Sequence, residues 1–98
     1  RRCLMAVGLL TLHLSLPGCR SLKQKRSRVQ PVLARLHREF NVAAAEIDWL
    51  DHHGEAVIQC AALSTDGGEV QAFLQRVVNF SADTWPDLEI LQYHIECF

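Results

Sequence analysis

Leu10, Leu12, Leu14 and Leu16 alternate with Thr11, His13 and Ser15. Strict period-two alternation sends every second side chain to one side of an extended chain, the pattern of a half-buried strand. The same stretch has the ingredients of a bacterial lipoprotein signal: Arg1-Arg2, an apolar run to Leu16, and a small residue, Gly18, before Cys19. The apolar segment of such a signal has no reason to alternate. His13 would be costly in it, and Pro17 sits poorly just before the glycine. We therefore read Leu4–Leu16 as a strand, with Gly8 marking the close approach of a helix or a neighbouring strand.

Leu16-Pro17-Gly18-Cys19 is a turn. Ser21 then caps a helix, and Gln24 three residues later completes a capping box. The helix runs to about Phe40, and Asn41 ends it. Leu22, Val29, Leu33, Leu36 and Phe40 form its apolar stripe. Pro31 inside it removes one N–H and predicts a bend, while the stripe stays in phase through it. Val42–Leu50 is a second strand, Asp51-His52-His53-Gly54 a hairpin tip, and Glu55–Thr65 a third strand. Asp66 caps a second helix carrying Val70, Phe73, Leu74, Val77 and Val78 on one side. Asp83–Asp87 reads as a loop and Leu88–Phe98 as a fourth strand. Leu91, Tyr93, Ile95 and Cys97 share one face of that strand; Gln92, His94 and Glu96 share the other.

The order is β-α-β-β-α-β. Two β-α-β halves joined by a hairpin give the ferredoxin-like α+β arrangement, a four-stranded antiparallel sheet with both helices on one face. The first and third strands are central in it. With 98 residues and no linker, residues 1–98 form a single domain. Apolar residues at 49% and charged residues at 21% describe a globular chain. No run is long enough for a membrane-spanning helix, and we read the protein as cytoplasmic. The uncovered sheet face carries Met5, Val7 and Leu9. An apolar open face is an interaction surface, for a partner or for a homodimer through the sheet face or an edge strand.

Charge is lopsided. Arg20, Lys23, Lys25, Arg26, Arg28, Arg35 and Arg38 lie in a stretch without a single acid, whereas all 11 acids fall from Glu39 onward with one base, Arg76. Lys23, Arg28, Arg35 and Arg38 occupy the arc opposite the apolar stripe, Lys25 and Arg26 flank it, and Arg20 precedes the helix. Two readings stand: a face that follows phosphates, or a solvated face that balances the acidic remainder.

Met5-Ala6-Val7-Gly8-Leu9-Leu10, Leu16-Pro17-Gly18, Arg20-Ser21-Leu22-Lys23-Gln24-Lys25-Arg26, Phe40-Asn41-Val42, Ala45-Glu46 and Ser64-x-Asp66 resemble the YlxP-like family, bacterial domains of unknown function with a ferredoxin-like fold. The resemblance runs from about Met5 to the C-terminus. Residues 20–26 are its specific part. It implies that Met5 stands at the usual initiator position, with Arg1–Leu4 either an upstream extension or the product of a misassigned start. The family's genes commonly neighbour transcription-termination and translation-initiation factors and a ribosome-maturation factor. The resemblance therefore implies a link to RNA or ribosomes. This chain departs from the family at Asp51–Glu55, where an aromatic-polar-basic stretch is usual.

Other chemistry is sparse. Cys3, Cys19, Cys60 and Cys97 contain no C-x-x-C pair and match no zinc spacing, so buried free thiols are expected, with Cys3 and Cys97 as possible neighbours across adjoining strands. Asp48, Asp51, His52 and His53 are the only metal-like cluster, but adjacent histidines on a turn seldom converge on one ion, and no metal or cofactor is expected. Cys60 and His13 share the central strands with nothing to orient them, so no catalytic set and no enzyme is expected. No aromatic pair suits a sheet-face RNA reader. Asp66 is explained by capping, whereas Glu46 has no role legible in the sequence.

Overall fold

The computed structural model describes residues 5–48 and 52–98. Arg1–Leu4, including Cys3, and Trp49, Leu50 and Asp51 lie outside them. The elements are β1 (Ala6–Ser15), α1 (Leu22–Glu39), β2 (Ala43–Asp48), β3 (Glu55–Ser64), α2 (Gly67–Thr84) and β4 (Glu89–Cys97). The sheet is antiparallel with order β2-β3-β1-β4, so β1 and β3 are central, as the element order requires.

The alternation in β1 decides the layering. Leu10, Leu12, Leu14 and Leu16 are buried under the helices together with Ala56, Ile58, Cys60 and Ala62 of β3. α2 packs over β1 and β4, and α1 lies over β2. Gly8 is where α2 comes closest. A Cβ there would collide with Val70 and stand 2.7 Å from Leu74 Cδ1, so the glycine is fixed by helix–strand packing. Phe40 makes edge-to-face contacts with Phe73 and Phe80 at centroid distances of 5.8 and 5.2 Å, tying the end of α1 to α2.

Three boundaries differ from the sequence reading. α2 continues through Asp83 to Thr84, and Trp85 caps it before Pro86, because the residue ahead of a proline is driven out of helical conformation. β2 begins at Ala43 and is irregular between Glu46 and Asp48. Phe40, with φ −133° and ψ 150°, is the extended C-cap of α1, in place of Asn41. The helix passes through Pro31 unbroken.

The buried stripe of α1 also differs. Lys25, Val29, Val32 and Leu36 face inward, whereas Leu22 is 37% exposed and Leu33 and Phe40 are half-buried. α1 sits towards the β2 edge of the sheet. Its inward stripe is therefore rotated relative to the one hydrophobicity alone selects.

Candidate nucleic-acid interface

The start of α1 is held by reciprocal caps. Ser21 Oγ accepts from the Gln24 N–H at 3.1 Å, and Gln24 Oε1 accepts from the Arg20 N–H at 2.7 Å. The return bond therefore goes one residue upstream of a standard capping box, which pins the Arg20 backbone to the helix. With that start fixed, the seven basic residues are distributed around α1, and the structure separates them.

Lys25 leaves the predicted phosphate-contacting set. Its residue is only 2% exposed. Nζ lies 2.7 Å from Glu46 Oε2 and donates to the His52 carbonyl at 2.6 Å. The carboxylate oxygen lies outside hydrogen-bonding alignment with the ammonium, so the two are joined by charge. Burial of a lysine is tolerable only where an opposite charge and an acceptor replace water. Glu46 supplies the charge, and this is the role that the sequence reading could not assign to it.

Arg28 and Arg35 are also engaged, on the flank of α1 that faces α2 and its following loop. Arg28 is half-buried and donates to the carbonyls of Pro17 at 2.7 Å and Asp87 at 3.0 Å, with the Asp87 carboxylate 3.6 Å away. It joins the β1–α1 turn to the α2–β4 loop. Arg35 pairs with Glu39 at 2.9 Å and lies over the Phe80 ring at 5.4 Å. Arg20, Lys23, Arg26 and Arg38 remain. All four are exposed and have no ion pair among the described residues. Arg20 and Lys23 stand at the helix start, Arg26 on the β2 side, and Arg38 in the last turn.

The remaining candidates do not converge. His13 and Cys60 are on neighbouring strands but opposite faces: His13 lies 2.7 Å from Glu55 on the open face, while Cys60 is buried under the helices. Burial pushes the Cys60 thiol from 9.0 up to about 11, which keeps it protonated. Cys19 is buried and Cys97 exposed, both as free thiols; Cys3 is outside the described residues. At the hairpin tip His52 Nδ1 accepts from the Gly54 N–H at 3.2 Å, and His53 Nδ1 lies 3.0 Å from the Cys19 carbonyl. Asp51 and the Asp48 side chain fall outside the described residues. Among those described, no three His, Cys, Asp or Glu side chains come together as metal ligands.

On the open sheet face Met5 is 55% exposed, and Val7 and Leu9 are half-buried. Leu63, 66% exposed, and Phe98, 70% exposed and bonded to Val7 through both backbone groups, extend the same patch. Its other end is polar, with His13, Glu55 and the Gln59–Thr11 hydrogen bond of 3.1 Å. No helix among the described residues is long and apolar enough to cross a membrane.

A two-layer βαββαβ sandwich with one helix-covered face and one open face defines a small ferredoxin-like α+β domain. A solved structure of the same fold is the de novo designed protein Foldit4, at a TM-score of 0.51 and 13% identity over 96% of both chains, a likeness of fold alone. The family model "Protein of unknown function (DUF503)" matches residues 7–95, and the chain belongs to that family. It is 35% identical over 69 residues to the uncharacterized protein YlxP of Bacillus subtilis (strain 168), covering 70% of this chain and 74% of the relative. The Ser21 cap, the Gln24 return bond and the Lys25–Glu46 pair give a structural reason for much of the segment that carries the resemblance.

Proposed function

We propose that this domain is a cytoplasmic, non-enzymatic accessory protein of RNA or ribosome metabolism that meets phosphates through Arg20, Lys23, Arg26 and Arg38. The observation that carries the reading is the division of the basic stretch. Three of its cations are used in holding the fold, and four are exposed with no ion pair among the described residues. From Lys23 to Arg38 the helix rises about 22 Å, long enough to follow a nucleic-acid backbone. The gene neighbourhood implied by the family resemblance points to the same class of partner.

Ribosome co-sedimentation at about 50 mM salt tests the reading. Wild type should pellet with ribosomes, and charge reversal at Lys23, Arg26 and Arg38 together should leave it in the supernatant. Failure of wild type to co-sediment, or undiminished pelleting of the triple variant, refutes it.

A second, compatible reading is pairing through the open sheet face, supported by the contiguous exposure of Met5, Leu63 and Phe98. Light scattering at high protein concentration should then give a dimer mass that Leu63→Glu reduces to a monomer. A monomeric wild type with no partner on pull-down removes this reading.

A further inference from the structure

β2 is a sheet edge, and α1 runs beside it with a groove of about 610 Å³ between them. The Ala44 N–H donates to His37 Nε2 at 3.1 Å, so the backbone of Ala44 points away from β3. The alternation of an antiparallel ladder turns the N–H and C=O of Glu46 the same way. His37 thus holds the position that a carbonyl of a neighbouring strand would take, and its side chain is exposed and able to rotate aside.

We propose that an extended acidic segment of another protein adds at β2 as a fifth strand beneath α1. The far wall of the groove is the stripe Leu22, Arg26, Leu33 and His37, about 22 Å of helix, which spans about seven extended residues. Leu22 and Leu33 receive alternate apolar side chains, and Arg26 receives a carboxylate. Glu46, at the base, already has the Lys25 ammonium 2.7 Å away, so the net charge offered to a ligand is positive. A second copy of β2 fits poorly. It would lay another α1, acid-free until Glu39, alongside the first. Single-stranded RNA fits poorly as well, since no Phe, Tyr or Trp lines the groove and the one ring there, His37, is held by the Ala44 N–H. Arg26 is shared with the phosphate reading, but the proposal rests on the β2 edge and the groove, which that reading does not use.

The probe is a blocked octapeptide alternating valine with glutamate, titrated into the full chain by fluorescence anisotropy and amide chemical shifts. Binding should shift the Ala44 and Glu46 amides. It should weaken at least tenfold for a valine–lysine octapeptide and for Arg26→Glu, and disappear in Ala44→Pro, which removes the edge donor. Should Ala44→Pro not fold, Arg26→Glu decides. No binding to wild type, equal binding of the lysine peptide, unchanged affinity in Arg26→Glu, or the same amide shifts with oligouridylate in place of peptide overturns the proposal.

Discussion

Lys25→Met should destabilise the domain more than any exposed substitution on α1. The replacement keeps the length and apolar stem of the side chain but removes the ammonium. Glu46, whose side chain is 15% exposed, is left without its 2.7 Å charge partner, and the His52 carbonyl loses a 2.6 Å donor. Removing one partner of a buried pair costs about 3–5 kcal/mol. The residual exposure of Glu46 places this pair near the lower bound, about 3 kcal/mol. For a chain of this length that lowers Tm by about 15 °C and removes a third to a half of a typical stability. Glu46→Leu should cost somewhat less, because the Lys25 ammonium keeps the His52 carbonyl as a partner. Lys25→Met with Glu46→Leu should recover most of the loss, since no charge is then left buried. Urea denaturation followed by far-ultraviolet circular dichroism, with the m-value unchanged, gives all four free energies. A coupling of about 2 kcal/mol or more is predicted. Lys25→Met within about 1 kcal/mol of wild type, or strictly additive losses in the double variant, would refute the structural role of the pair.

Gly8→Ala forces a methyl against Val70 and Leu74, and should cost about 2 kcal/mol in a thermal melt; an unchanged Tm contradicts the close approach of α2. Arg28→Ala loses the bonds to Pro17 and Asp87 and should cost about 1–2 kcal/mol, with Arg28→Lys restoring only part because an ammonium lacks the planar fork; full rescue by lysine would show the geometry to be unimportant. The raised Cys60 thiol favours folding below its ordinary value of 9.0, and that contribution is lost as pH rises towards about 11. Wild type should therefore lose about 2–3 kcal/mol more stability than Cys60→Ala between those limits, and parallel pH profiles of the two proteins would refute it. At pH 8, a thiol reagent should modify Cys97 rapidly and Cys60 only on unfolding.

What could be read from the amino acids alone was whatever depends on local periodicity. The leucine alternation fixes β1, Ser21 and Asp66 announce both helix starts, and the element order places β1 and β3 at the sheet centre. Gly8 marked a close approach, although not which residues make it. The burial of Lys25 was hidden, because its local neighbours look like a solvated basic run. Glu46 and the His52 carbonyl, both distant in sequence, make it possible. Arg28 was assigned to solvent for the same reason: its partners at Pro17 and Asp87 are brought near by tertiary packing. The rotation of the α1 stripe follows from where the helix sits over the sheet, which no hydrophobic pattern in the helix encodes. The groove beside β2 is likewise a product of that offset.

The division of the basic stretch into three structural and four presented cations is tested most directly by the salt dependence of binding to a single-stranded RNA. Four phosphate contacts predict a slope of about −2.8 in log affinity against log salt, roughly a fiftyfold loss between about 50 and 200 mM. Neutralising Lys23 or Arg38 should each reduce the steepness by about 0.7, whereas Arg28→Ala should leave it unchanged once folding is confirmed. A slope near zero, or an Arg28→Ala effect as large as those at Lys23 and Arg38, would contradict the account.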